Sequence, residues 1–229
     1  VRVAAIINMR NRAAGRTGLG AVMGSKNLKA IAVRGSQRPT YADARGVKRI
    51  AALGATEYKT NRGMQELGEL GTAGVVLGQE FAGGLPTRNY QAGTFAHAEE
   101  ISGERLAETI LVDRDTCYAC VVRCKREVET DDAHQVKREL GGPEYETIAT
   151  FGSYCAVRDL AAVAKANALC NDYGLDTIGA GATIAWAIEC YEEGILSDAE
   201  TDGLALRWGD AQAMLAALEA MAFRRGRLG

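Results

Sequence analysis

Hydrophobic positions change their spacing along the chain, and the change divides it in two. "VRVAAII", residues 1–7, is a nearly unbroken apolar run rich in Val and Ile, which predicts a core strand. "LKAIAVRG" repeats the pattern and closes at Gly35, predicting a second strand. Between them Gly15, Gly18, Gly20 and Gly24 punctuate a basic turn. "SQRPTYAD" reads as a linker, after which Thr40 or Asp43 can cap a helix running to about Gly54.

Beyond that point the apolar spacing is helical. "MQELGELGTAGVVLGQ" is weakly periodic and interrupted by glycine, and "AGGLPTRNYQAGTF" has the turn chemistry of an ordered loop. "ISGERLAETIL" predicts a short helix starting at Ser102. Further helices are expected over about 144–153, 159–171 and 178–192, the last ended by Gly194. Leu160, Val163, Asn167 and Cys170 share one face; Ile178, Ala185, Ile188 and Tyr191 share another. Asp210 can cap a final helix with Met214, Leu218 and Met221 on one stripe and Gly226 as its C-cap. The pattern is mainly α: a helical domain preceded by a short β-containing segment. The opening apolar run and the helical end make the chain look cut from something longer.

Composition narrows the function classes. The 229 residues are 47% hydrophobic, enough for a substantial core. Lys plus Arg is 27 against 29 Asp plus Glu, so no electrostatic case exists for nucleic acid or an anionic membrane. No apolar run approaches the roughly 20 residues of a membrane span, and no signal peptide is visible. The six cysteines are unevenly spaced, which argues against a disulfide scaffold and for a reducing, cytoplasmic compartment. Cys155, Cys170 and Cys190 lie in apolar helical contexts and are expected to be buried, inert thiols.

The other three cysteines carry candidate chemistry. Cys117, Cys120 and Cys124 form a C-x2-C-x3-C array, a set of soft donors suited to an iron–sulfur cluster or zinc. A cubane cluster commonly takes such a run plus one distant cysteine, whereas zinc could recruit His134. A non-ligand array is the third possibility. Arg123, Lys125 and Arg126 would offset the charge of an anionic cluster, or simply form a solvated basic face. "RAAGRTGLGAVMGSK" could cradle an anion on backbone N–H groups, but matches neither the P-loop nor the dinucleotide fingerprint. Glu144 follows a Gly-Gly-Pro turn, where it is either a helix-start residue or a general acid or base. Asn171, Asp176 and Thr177 could hydrogen-bond a polar ligand or serve as helix caps.

Five stretches in order, "AAGRTGLGAVMGSKNLKAIAV", "LPTRNYQAG", "CYACVVRCKR", "GGPEYET" and "CNDYGLDTI", resemble the tungsten-containing aldehyde:ferredoxin oxidoreductases over essentially the whole chain. The resemblance implies that residues 1–38 end an N-terminal β-rich, pterin-binding domain, and that 39–229 form a helical second domain. It implies a tungsten (or molybdenum) bis-pterin, a [4Fe–4S] cluster on Cys117, Cys120 and Cys124, and a fourth cysteine from an absent third domain. Arg12, Ala13 and Arg16 match the segment meeting the pterin phosphates and their bridging magnesium. The family's D-x-x-G-L-[CD] pattern falls on Asn171 to Asp176, with Asn171 in place of Asp; Gly174, Leu175, Asp176 and the following Thr177 complete it. Glu144 matches the glutamate near tungsten, and neither His97 nor His134 takes the place of the family's active-site histidine.

The implied reaction converts an aldehyde and water to a carboxylic acid, two protons and two electrons, passed to ferredoxin or another iron–sulfur carrier. A homo-oligomer is possible, and a fragment alone is expected to be inactive. The alternatives are a reductive member acting on acyl-CoA, aromatic or carboxylic-acid substrates, a non-enzymatic iron–sulfur electron-transfer module, and a zinc-stapled structural domain.

Overall fold

The computed structural model describes residues 1–131 and 133–229. The chain is mainly α, as its apolar spacing predicts. Among the described residues its β structure is two small antiparallel hairpins and a few isolated bridges. β1 (Ile6–Asn8) pairs with β2 (Arg12–Ala14), Ile7 opposite Ala13. β3 (Leu111–Asp115) pairs with β4 (Lys125–Val128), Asp115 opposite Lys125.

The two strands expected near the start are corrected. Of the run 1–7, only its end joins β1, and its residues are half-buried or exposed. Its earlier part is an isolated bridge instead: the Ala5 N–H donates to the Gly174 carbonyl at 2.7 Å and Asp176 N–H to Val3 at 2.8 Å. "LKAIAVRG" has no regular structure, and Ile31 and Val33 are 72% and 87% exposed. A strand is sustained by a hydrogen-bonded neighbour, and no described segment pairs with this one. α1 (Leu19–Ser25) separates the two runs.

The helices start where capping chemistry puts them. Asp43 rather than Thr40 caps α2 (Ala44–Glu57), accepting from the Gly46 N–H. Asn61 caps α3 (Arg62–Leu70), which a short 3-10 turn joins to α4 (Val75–Phe81). Ser102 caps α5 (Gly103–Thr109). α6 (Tyr145–Phe151) and α7 (Leu160–Tyr173) follow, the latter capped by the Asp159 carboxylate on the Ala161 and Ala162 N–H groups. Gly174 ends α7 in the left-handed conformation, φ +72°, which a glycine adopts without strain. α8 (Thr177–Glu192) is capped by Asp176, and α9 (Ala211–Phe223) by Asp210. At the end of α9 the left-handed cap is Arg224, not Gly226 as expected.

One apolar core joins helices α4 to α9, while α2 keeps Val47, Ile50 and Leu53 exposed. Ile148 and Phe151 of α6, Val163 of α7, Ile184 and Ile188 of α8, and Met214 and Leu218 of α9 are buried together. Val76, Leu85, Ile101 and Leu106 extend it under α3 to α5. All six cysteines are free thiols, and Cys155, Cys170 and Cys190 are buried as expected. No helix among the described residues is long and apolar enough to cross a membrane.

Burial pushes the thiol pKa of Cys155 and Cys170 upward. The folded state therefore keeps protons that the unfolded chain releases. The stability contributed by these thiols is complete below about pH 8.5, the unperturbed thiol value, and falls as pH rises beyond it. Urea unfolding between about pH 8 and 10 should show declining stability, with a flatter decline in Cys155→Ala. An equal slope in the variant would mean that this thiol does not drive it.

Candidate functional site

The three spaced cysteines lie in the loop that joins β3 to β4. Cys117 and Cys120 are exposed and Cys124 is half-buried. Thr116 ties the loop to itself, its hydroxyl donating to the carbonyls of Cys117 and Cys120. The stronger anchor is Arg126, whose guanidinium is almost fully buried. It donates to the carbonyls of Gly68 (2.8 Å) and Glu69 in the last turn of α3, and to those of Arg123 (2.9 Å) and Cys124 (3.3 Å) in the loop. Arg114 adds a bond to Gly68 at 2.9 Å. The last carbonyls of a helix have no partner within it and carry the negative end of its dipole, so a cation is favoured there. Gly71, at φ +65°, lets α3 end against the loop; a Cβ there would lie 2.8 Å from the Cys124 carbonyl oxygen.

Beside this loop polar contacts, strand pairing and short chain connections together close into a circuit. Lys125 donates to Oε1 of Glu144 at 2.8 Å, and the Thr72 hydroxyl donates to Oε2 at 2.5 Å. Lys125 faces Asp115 across the hairpin, and Asp115 pairs with Arg12 at 2.7 Å. Arg12 also donates to the Thr116 carbonyl, while its buried Nη1 has no partner among the described residues. Past β2 the chain turns at Gly15 onto Asp176, whose carboxylate lies 3.7 Å from Nε of Arg16. The next residue, Thr177, accepts a 2.8 Å bond from the Thr147 hydroxyl of α6. Thr147 stands one turn beyond Glu144, which completes the circuit.

The residues singled out from the sequence divide accordingly. Arg12, Arg16, Glu144, Asp176 and Thr177 belong to the circuit, with Ala13 in β2. Asn171 and Gly174 line a separate cleft of about 1050 Å³ with Ala5, Ile7, Arg10 and Gly20. There Asn171 donates to the Leu140 carbonyl at 2.8 Å. Leu175 forms the bridge to Ala4 and is buried. Asp176 is itself the cap of α8, so its capping and ligand readings coexist. His134, the ligand considered for zinc, contacts Asp159 at 3.2 Å. Among the described residues, no three His, Cys, Asp or Glu side chains are gathered closely enough to hold a metal ion. The thiols therefore share a loop without forming a preformed metal cage.

Donor chemistry nevertheless fits the groups that the resemblance implies. Three free thiols in one anchored loop match a thiolate-bound cluster, and the buried, partnerless Arg12 nitrogen beside Arg16 matches an anionic phosphate. Two residues escaped the sequence reading. Arg126 looked like one of several basic residues, and only its burial shows it to be the loop anchor. Glu146 is exposed in the first turn of α6, and its carboxylate forms no hydrogen bond or ion pair among the described residues. Its signal was present in "PEYET", which offers two carboxylates, only one of which was read.

Fold and site together define a mainly helical body that sets a three-cysteine hairpin beside a basic, glycine-rich turn. Residues 49–229 match the family model for aldehyde ferredoxin oxidoreductase, domains 2 and 3, and residues 1–35 match that for its N-terminal domain. The chain belongs to the aldehyde ferredoxin oxidoreductase family. It is similar to the tungsten-containing aldehyde ferredoxin oxidoreductases of Thermococcus kodakarensis, at 40% identity over 98% of this chain and 37% of that protein, and of Pyrococcus furiosus, at 39% over 99% and 37%. A WOR-like subunit of an aliphatic sulfonate oxidoreductase from Pyrococcus furiosus is 30% identical over 99% of this chain and 36% of its own. Among solved structures, the active-site complex BamBC of benzoyl coenzyme A reductase with 1,5-dienoyl-CoA shares the fold. Its TM-score is 0.71 at 22% identity, covering 98% of this chain and 35% of that one. The chain thus spans little more than a third of the length of these relatives.

The anchoring role of Arg126 is testable. Arg126→Met leaves buried carbonyls of α3 and the loop without donors, at about 1–3 kcal/mol for each unsatisfied group. A loss of about 3 kcal/mol in urea unfolding is expected, with faster proteolysis between residues 116 and 124. Unchanged stability and unchanged cleavage would show that the loop is held by other contacts.

Proposed function

We propose that this chain supplies the cluster-bearing and pterin-contacting part of an oxidoreductase that converts small aldehydes to carboxylic acids and delivers the electrons to ferredoxin. The observation that carries the reading is the closed contact circuit, which brings the thiol hairpin, the basic turn and α6 to one place. Identity of 39–40% to tungsten-containing aldehyde ferredoxin oxidoreductases supports it. Residues 1–38 act as the end of the N-terminal domain, and 39–229 as the helical domain. The protein works in the cytoplasm.

In this reading Cys117, Cys120 and Cys124 hold a [4Fe–4S] cluster with a fourth ligand from outside the chain. Arg12, Ala13 and Arg16 meet the pterin phosphates and magnesium, and Asn171, Gly174, Leu175, Asp176 and Thr177 meet the pterin. The bound tungsten pterin supplies the redox chemistry, and the protein supplies position and electrostatics. Arg126, Lys125 and Arg123 place positive charge around the cluster loop, which favours the reduced cluster.

Aldehyde oxidation by water needs a group that takes protons from the attacking water. Glu144 and Glu146 share this task unequally. Both oxygens of Glu144 are engaged, by Lys125 and Thr72, so it fixes the start of α6 against the hairpin. Glu146, one residue beyond Tyr145, is open to exchange with water and substrate.

The test uses the tungsten-loaded holoenzyme containing this sequence. Glu146→Gln should lower kcat roughly 100-fold or more, the usual scale for acid–base catalysis, with tungsten and iron content retained. Glu144→Gln keeps the Thr72 contact and should cost less than about tenfold. The reverse order would move the acid–base role to Glu144, as the family resemblance implies. Absence of aldehyde oxidation in a fully metallated wild type would sink the activity itself.

A further inference from the structure

A loop that the reading above leaves without a role lies against α6 and its continuation. Residues Arg88, Asn89 and Tyr90 are three consecutive left-handed residues, φ +47°, +49° and +70°. None is glycine, and each carries a conformational cost. The loop persists because several contacts hold it. The N–H groups of Arg88 and Asn89 donate to the carbonyls of Ser153 and Tyr154 at 3.0 and 3.1 Å. Glu189 of α8 accepts from the Asn89 and Gln91 side-chain amides at 2.5 and 2.8 Å, which holds its carboxyl below the usual range. Thr87 and Ala92 close the base of the loop with paired backbone bonds.

These contacts present one side chain. Tyr90 is 69% exposed, with its ring edge-to-face on Tyr154, centroids 4.9 Å apart. The buried Tyr154 hydroxyl donates to the Tyr90 hydroxyl. Burial first, and then the Tyr90 contact, keeps Tyr154 protonated by pushing its pKa up. With Tyr154 as the donor, Tyr90 accepts through its oxygen and keeps its own O–H for a further partner. Tyr145 and Glu146 lie within electrostatic reach of the same pair. An exposed phenol, held by a strained and well-tethered loop within electrostatic reach of the one unengaged carboxylate of α6, has the layout of a substrate-oxygen clamp.

We propose that the Tyr90 hydroxyl binds substrate, donating a hydrogen bond to the carbonyl oxygen of the aldehyde and to the carboxylate oxygen of the product, and that Tyr154 is its positioning residue. The proposal rests on the aldehyde-oxidation reading for its substrate. No bond is made or broken by either phenol.

The experiment compares wild type, Tyr90→Phe, Tyr154→Phe and the double variant as metallated holoenzymes, with benzaldehyde as substrate and benzoate as an equilibrium ligand in calorimetry. Phenylalanine keeps the ring packing and removes only the hydroxyl. One lost hydrogen bond corresponds to about tenfold in affinity. Tyr90→Phe should therefore raise both the KM for benzaldehyde and the Kd for benzoate about tenfold. Tyr154→Phe should raise them less, about threefold, and the double variant should match Tyr90→Phe because Tyr154 acts through Tyr90. An unchanged benzoate Kd in Tyr90→Phe overturns the proposal, as does a further loss in the double variant or an absence of benzoate binding by the wild type. A wild type that binds benzoate but oxidises no aldehyde contradicts the proposed activity alone, and the benzoate Kd then decides the role of Tyr90.

Discussion

A buried arginine with only carbonyl partners is the constraint on which the rest of the site depends. Arg126 sits where the last turn of α3 meets the cysteine loop and is bonded to two carbonyls on each side. Removing a guanidinium from water is costly unless its donors are satisfied. Here the helix end and the loop present carbonyls without donors, and the guanidinium has donors without acceptors, so each supplies what the other needs. The clamp sets the position of β4, and with it Lys125. Through Lys125 it sets Glu144, and through Asp115 it sets Arg12. A loop of three exposed or half-exposed thiols would otherwise have little to fix it, because none of its cysteines is in the core.

The second constraint is how the first residues are held. Val3 and Ala5 bond to the turn between α7 and α8, while Gly15 packs on Asp176. The basic turn is thus docked against a helix junction whose own geometry is fixed by Gly174 and the Asp176 cap. Sites supported by rigid elements are more precise than sites on free loops. The turn gains that support without belonging to a sheet of any size.

Legibility from sequence followed the range of the interactions involved. Helices α6 to α9 were readable because their apolar spacing and their Asp159, Asp176 and Asp210 caps are local signals that agree with each other. The strand predicted at 28–35 failed because a strand is not local: apolar spacing states a preference, and a ladder partner decides. β3 and β4 went unseen because "LVDRD" and "KREV" are largely charged, and most of their apolar content faces one side of a hairpin. The cysteine array stood out from its spacing alone. Its anchor did not, since nothing local distinguishes Arg126 from Arg123 or Lys125; burial separates them, and burial arises from contacts with α3 more than fifty positions earlier. Asp176 was legible locally as a cap and Arg12 as part of a basic, glycine-rich stretch; the contacts that join them to distant parts of the chain, Asp176 to Arg16 and Arg12 to Asp115, were not.

The two carboxylates of "PEYET" leave one helix start into different surroundings. Glu144 has extended backbone, φ −84° and ψ 167°, and leaves the chain before the helix begins. Its side chain can therefore reach sideways to Lys125 and Thr72, and Thr72 returns a bond by accepting from the Tyr145 N–H at 2.9 Å. Glu146 is already within the helix, where side-chain directions advance by about 100° per residue. It is carried off the Lys125–Thr72 pair and lies within electrostatic reach of Tyr145 and Tyr154. A carboxylate that holds structure must keep its partners, and one that moves protons must be able to exchange them. In the proposed reaction Glu144 would meet the first demand and Glu146 the second, because the backbone changes conformation between them. A helix beginning one residue earlier would turn Glu144 off the Lys125–Thr72 pair and dissolve the link between the thiol hairpin and α6.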